Sequence, residues 1–202
     1  MRFILSLAIG FMLVFTPYIA QAAQGIPADN TIEFEILRGG KPFGTHEIKF
    51  DKAGEQVTTL ITIKMRYKAM GVTLFRYDHT NKEQWQGNKL ISVNAVTDDD
   101  GRDYKVQKDN LKNIYSSSYW NIKSISGTKI LNTQYGTMDD IKVTKLASRK
   151  IDVAGKTINA DVYKVDTTVP ITVMYDKKTK QWVGLEFTAR GAAVEYRRKD
   201  AL

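Results

Sequence analysis

The chain has 202 residues, no cysteine and a formal net charge of +8, from 30 Lys and Arg against 22 Asp and Glu. The missing cysteines exclude disulfides, thiolate metal sites, thiol nucleophiles, haem attachment through CxxCH and a lipid anchor on an N-terminal cysteine. The length suits one domain with a real core, and the basic excess favours anionic partners such as lipid head groups over nucleic acid, although the cations are scattered among apolar positions.

Met1 and Arg2 give a positive start, Phe3 to Phe15 is an almost unbroken apolar run, and Ala20-Gln21-Ala22 follows a break at Pro17. That succession is the pattern of a secretory signal peptide with its small-x-small cleavage site. A membrane span needs roughly 20 apolar residues, more than this run holds. The sequence therefore predicts a cleaved signal over residues 1–22, a single β-rich domain over 23–202, no membrane span, and a periplasmic or secreted location.

Further along, period-2 alternation dominates, which puts every second side chain on one face of a strand. Ile32, Phe34 and Ile36 alternate with Glu33 and Glu35, and Gly44, His46, Ile48 and Phe50 share one parity. Val57, Ile61, Ile63, Met65 and Tyr67 alternate with Thr62, Lys64 and Arg66. Ile91, Val93 and Ala95 face one way, as do Val169, Ile171, Val173 and Tyr175, and Val183, Leu185 and Phe187. Gly39-Gly40, Gly87-Asn88, Asp100-Gly101, Ala154-Gly155-Lys156, Asp176 to Lys180 and Arg190-Gly191 sit between these runs as turns. The count is nine to eleven strands joined by hairpins. The expected fold is all-β: a single antiparallel, strongly curved sheet, an open barrel or half-barrel. Alternation fails from Lys108 to Gln134, and so long an irregular segment in a compact domain points to function or mobility.

Phe75, Tyr77, His79, Asn81, Glu83 and Trp85 share one parity and mix rings with polar groups, the composition of a ligand pocket. Two readings compete here. A continuous strand keeps the mixed face, whereas a turn at Thr80-Asn81-Lys82 brings His79 to Glu83 and breaks it. His46, on an apolar face, reads as a core histidine whose nitrogens find backbone or carboxylate partners. Ser116 to Asn121 carries three hydroxyls and the Tyr119-Trp120 pair, without a G-x-S-x-G elbow or an S-x-x-K. Its rings either close over a ligand or pin the loop to the core. Asp98 to Asp103 lacks the spacing of a calcium loop and reads as a hairpin turn. With two separated histidines, no metal site and no cofactor is expected.

Phe34 to His46, Phe75-Arg76-Tyr77 with His79, Glu83 and Trp85, Ser118 to Asn121, and Trp182 to Phe187 together resemble a family of exported bacterial proteins catalogued only as a domain of unknown function. That resemblance spans nearly the whole mature region and implies no activity. More distantly, the strand-rich pattern is similar to the half-barrel periplasmic lipoprotein carriers, a likeness of architecture alone.

The leading expectation is an exported, non-enzymatic module that binds an amphipathic or hydrophobic ligand, an anionic small molecule or lipid, on the concave face of the sheet. Phe75, Tyr77, His79 and Trp85 line the site, and Tyr119 and Trp120 cover it. One alternative is an envelope assembly or interaction protein working through a sheet edge. Another is a hydrolase-like enzyme with His79 or His46 as base and Glu83 nearby. N-terminal sequencing of the protein from the envelope fraction is expected to start at or within a couple of residues of Ala23; an intact Met1 there contradicts export by cleavage.

Overall fold

The computed structural model describes residues 25–202, the side chain of Ala69 excepted, so the expected signal over 1–22 lies outside the described residues. Among them there is no α-helix, and no helix is long and apolar enough to cross a membrane. The strands are β1 (Thr31–Arg38), β2 (Lys41–Ala53), β3 (Gln56–Ala69), β4 (Val72–Gln86), β5 (Lys89–Asp99), β6 (Arg102–Lys108), β7 (Lys129–Leu131), β8 (Met138–Asp140), β9 (Lys142–Val153), β10 (Lys156–Asp166), β11 (Ile171–Asp176), β12 (Trp182–Ala189) and β13 (Ala192–Arg198). Eleven form one antiparallel sheet in the order β6-β5-β4-β3-β2-β1-β13-β12-β11-β10-β9, and β7 and β8 form a separate small hairpin.

Every neighbour in the large sheet is joined by a hairpin except β1 and β13, which pair the first strand with the last. Two meanders thus run outward from one central seam. The expected turns fall where the sequence puts them: Asp100-Gly101 and Arg190-Gly191, for example, both take the paired positive φ that a two-residue hairpin demands. Met70-Gly71, between β3 and β4, is a further turn of this type, with Met70 at φ 50°.

The sheet curls strongly without closing into a hydrogen-bonded barrel. Laid flat, β4 and β11 stand six strand spacings apart, roughly 29 Å. Yet the ring of Trp120 lies 4.9 Å from that of Trp85 on β4, while the carbonyl of the preceding residue, Tyr119, accepts a 2.8 Å hydrogen bond from the Tyr175 hydroxyl on β11. Only a concave sheet brings those two strands within reach of adjacent residues. Bulges help bend it, because an extra residue on one strand increases local twist.

Two bulges also correct the expected faces. Gln84 pairs with Ser92 and Trp85 with Leu90, so Ile91 is the extra residue. It turns outward, while Leu90 and Val93 turn into the core. On β12, Met174 pairs with Gly184 and Tyr175 with Trp182, which sends Val183 to the opposite face from Leu185. There it joins Val153, Ala160, Val162 and Met174 in a second, smaller apolar cluster.

The irregular segment is a strap that connects the two edge strands across the inner face. It contains a 3-10 helix (Ile122–Ile125) capped by the Asn121 side chain, and the β7–β8 hairpin. Trp120, Ile125, Ile130, Leu131 and Ile141 from this strap complete the main core against Phe34, Trp85, Tyr175 and Trp182 of the sheet.

Curling leaves little room where β2 crosses β3. A Cβ added at Gly44 would stand 2.1 Å from the Lys64 carbonyl oxygen and 2.9 Å from the Met65 Cα. Backbone cannot yield as a side chain does. Gly44→Ala is expected to cost about 3 kcal/mol or more, the upper end of overpacking; an unfolding midpoint equal to that of the wild type contradicts this account of the curl.

Candidate functional site

The site is built on β4. That strand is continuous, the turn at Thr80-Asn81-Lys82 does not form, and Phe75, Tyr77, His79, Asn81, Glu83 and Trp85 share the inner face. Their burial is graded: Phe75 and Tyr77 are half-buried, His79 is 3% exposed, and Asn81 and Glu83 are at 0%. One ladder therefore leads from an open end of the sheet to its interior.

At the bottom sits Glu83, whose two oxygens accept from five side-chain donors. Asn81 Nδ2 donates to Oε1 at 2.9 Å. The indoles of Trp85 and Trp120 donate to Oε2 at 3.0 and 3.3 Å, with the hydroxyls of Ser118 at 3.4 Å and Thr59 at 3.5 Å. Two of these donors, Ser118 and Trp120, belong to the strap. The Glu83 carboxyl group thus fastens the strap to the floor of the sheet through these hydrogen bonds. Ser116 and Ser118 bond to each other at 2.7 Å, and Ser117 bonds Thr133, so the hydroxyl run is consumed in holding the strap.

Neither histidine touches Glu83. His79 Nδ1 is 2.7 Å from Thr97 Oγ1 and Nε2 is 3.4 Å from Thr133 Oγ1. His46 is a core residue as expected, packed edge-on against Trp182 and Tyr196. Contrary to expectation, its ring nitrogens have no hydrogen-bond partner among the described residues. Burial pushes the His79 pKa down to about 4, and burial, with His79 nearby, pushes His46 down to about 3. No cluster of three or more His, Asp or Glu suited to a metal occurs among the described residues.

Above this floor the strap stops and the trough stays open. A cavity of about 640 Å³ is lined by Phe43, Ile63, Met65, Phe75, Phe187 and Tyr196, among others, from both halves of the sheet. Polar groups are few. The Tyr77 hydroxyl donates to Gln134 Oε1 at 3.1 Å, and Gln134 Nε2 donates to Asp99 at 3.3 Å. At the mouth, the Arg190 guanidinium lies 5.3 Å over the Phe75 ring and that of Arg38 lies 5.6 Å over Tyr67. Neither arginine pairs with a carboxylate among the described residues.

Of the six residues expected to form a binding site, Phe75 and Tyr77 line this cavity. His79 lies one step deeper. Trp85 and Trp120 are 1% and 0% exposed and belong to the core, and half-buried Tyr119 packs against it. The Tyr119-Trp120 pair pins the strap rather than closing over the opening. Sequence reasoning missed Arg38, Arg190, Phe43 and Gln134. Arg190 stands in a turn that was legible, and Ile63, Met65 and Tyr67 were already on one face; what was missing was the curl that brings these strands together.

Two outcomes follow from this geometry. Trp85→Ala removes a ring packed on all sides and an indole donor, and is expected to cost roughly 3–5 kcal/mol of stability; a near-native melt would return Trp85 to the cavity wall. The histidines set a pH dependence. Their folded pKa values lie below the ordinary histidine value of about 6.5, so the unfolded chain binds more protons as pH falls. The stability they contribute is intact above about pH 6.5 and is lost toward about 4 and 3, at up to about 1.4 kcal/mol per pH unit for each ring. His46→Phe keeps a ring among rings and removes one titration, so the fall in urea midpoint between neutral pH and about pH 5 is expected to shrink; an unchanged slope contradicts the assignment.

No curated protein matches the chain. A family model described as a domain of unknown function (DUF6134) matches residues 34–199, from within β1 to just past β13. The chain belongs to that family, and the matched segment holds the sheet, apart from the first three residues of β1, together with the strap.

Proposed function

We propose that the protein is an exported, non-enzymatic carrier or receptor module that holds an amphipathic or hydrophobic molecule in the open end of the trough. One observation carries the reading: an open apolar cavity of about 640 Å³ whose mouth bears two arginines without carboxylate partners. That volume is in the range of small-molecule sites, and an apolar wall with a few placed polar groups is their usual composition. At roughly 30 Å³ per small group, the share of one water in the liquid, it accommodates about twenty such groups. That fits one acyl chain with its head and not the two chains of a phospholipid. Arg38 and Arg190 suit an anionic head, and the Tyr77 hydroxyl and the Gln134 amide, which bonds Asp99, offer polar contacts deeper in. Export rests on the N-terminal charge, apolar run and Ala20-Gln21-Ala22 site. The edge-pairing alternative is disfavoured by the charge on both edges, with Lys142, Lys145, Arg149 and Lys150 on β9 and Arg102, Lys105 and Lys108 on β6, the usual protection against strand addition.

Titration with an apolar fluorescent probe and displacement by a long-chain carboxylate test the proposal. Ala189 lines the cavity, so Ala189→Trp fills space without removing core contacts. It is expected to weaken probe binding about tenfold or more while the melt is preserved. Arg38→Ala with Arg190→Ala is expected to weaken the carboxylate and spare the corresponding alcohol. A wild-type protein that binds no probe, or a filled cavity that binds it equally well, contradicts the proposal.

A further inference from the structure

The β3–β4 hairpin runs past the sheet that carries it. Pairing of β3 with β2 ends at Met65 opposite Gly44, and pairing of β4 with β5 ends at Tyr77 opposite Asp99. Residues 67–75 therefore form ladder bonds only with one another, as a two-stranded arm whose turn lies roughly 17 Å past the last pair of β3 with β2; β2 runs on to Lys41, and its Phe43 stacks on Phe75 at the root of the arm. A lone hairpin has no second layer to bury its apolar side chains. Here Met70 at the turn is fully exposed, Val72 and Leu74 are more than half exposed, and Tyr67 is 45% exposed. Elsewhere among the described residues exposed large apolar side chains come singly or in pairs, as Ile91 and Val96 do on β5, while Val169 shares the cavity wall with Tyr67 and Leu74. A compact apolar tip of this kind marks an interaction surface.

Its charge is one-sided. Residues 66–76 include Arg66, Lys68 and Arg76 and no carboxylate. Arg66 and Arg76 pair with Asp78 and Asp98 at the root of the arm. Lys68, Arg38, Lys41 and Arg190, at the same end of the sheet, form no ion pair among the described residues. The acidic β5–β6 turn stands opposite Arg76, back from the tip, where the Asp100 N–H bonds the Arg76 carbonyl.

We infer that the tip of this arm docks on an anionic lipid surface, with Met70 and Val72 entering the boundary between head groups and acyl chains and the free cations lying on the phosphates. Apolar side chains ringed by Lys and Arg are the composition that binds such interfaces, and a tyrosine at head-group level suits the boundary. Docking in this way turns the mouth of the cavity toward the bilayer, since Tyr67 and Leu74 belong both to the arm and to the cavity wall. The inference extends the carrier reading without depending on it.

Flotation with vesicles of equal parts phosphatidylglycerol and phosphatidylcholine, against phosphatidylcholine alone, tests it on the full protein as exported. Any apolar N-terminal residues retained there are common to all variants. Wild-type protein is expected to float with the anionic vesicles only, and Met70→Asp to lose about tenfold in vesicle affinity. Because the tip lies outside the core, that variant keeps its melt and still takes up the apolar probe, so failure here is distinct from failure of the cavity. Met70→Trp supplies a direct readout. The three native tryptophans are at most 1% exposed, so quenching by acyl-chain-brominated lipid reports the new indole. Wild-type protein left in solution with both vesicles, Met70→Asp floating like wild type, equal flotation on uncharged vesicles, or an unquenched new indole each overturns the inference.

Discussion

The structure depends on one buried carboxylate. Glu83 sits at the floor of a curled sheet with no ion pair among the described residues, and its oxygens take hydrogen bonds from two strands and from the strap that crosses above. A buried acceptor of this kind is costly unless satisfied, and satisfying it requires the Trp120 indole and the Ser118 hydroxyl to come down onto the sheet. Once they are there, Trp120 fills the space between Phe50 and Trp85, with ring centroids 5.0 and 4.9 Å away. Polar satisfaction and apolar packing thus fix the strap at the same point.

The cavity follows from where the strap ends. A curled sheet of eleven strands has more inner surface than its own side chains cover. The strap buries the half of the trough around Glu83, and the ladder on β4 continues beyond it through His79 to Tyr77 and Phe75. The two histidines mark the transition: both are buried and held neutral, and neither is arranged with Glu83 for proton transfer. Beyond them the wall is mostly aliphatic and aromatic, with Asp99 in its lining, and the cations Arg38 and Arg190 stand at the mouth. Floor, wall and mouth differ in chemistry because they lie at different depths along the same strands.

Much of this was legible in the sequence. Alternation marked nearly every strand, and Gly, Asn and Asp marked most of the turns. The single parity of Phe75 to Trp85 holds, because β4 itself carries no extra residue there; the bulge opposite Gln84 and Trp85 adds its residue to β5. The failures have local causes. Ile91 and Val183 left their expected faces because bulges shift parity by one residue, and nothing in an apolar residue announces that it is the extra one. The Met70-Gly71 turn was hidden by a methionine in a position that favours Gly or Asn. Trp85 and Trp120 read as pocket rings because depth is invisible in composition, along β4 for Trp85 and beneath the strap for Trp120. That their indole nitrogens share one carboxylate could be seen only after the strap had been laid across the sheet.

The family match covers the whole sheet and assigns no chemistry, so the claim that matters is that this trough carries a ligand. Native mass spectrometry of the protein purified from its own cells tests it most directly, with solvent extraction of the same sample. The account predicts a fraction of molecules carrying one adduct, released on extraction as a single-chain amphiphile with an anionic head. A bare polypeptide mass with nothing extractable, in protein that also fails to take up added long-chain carboxylate, would contradict it.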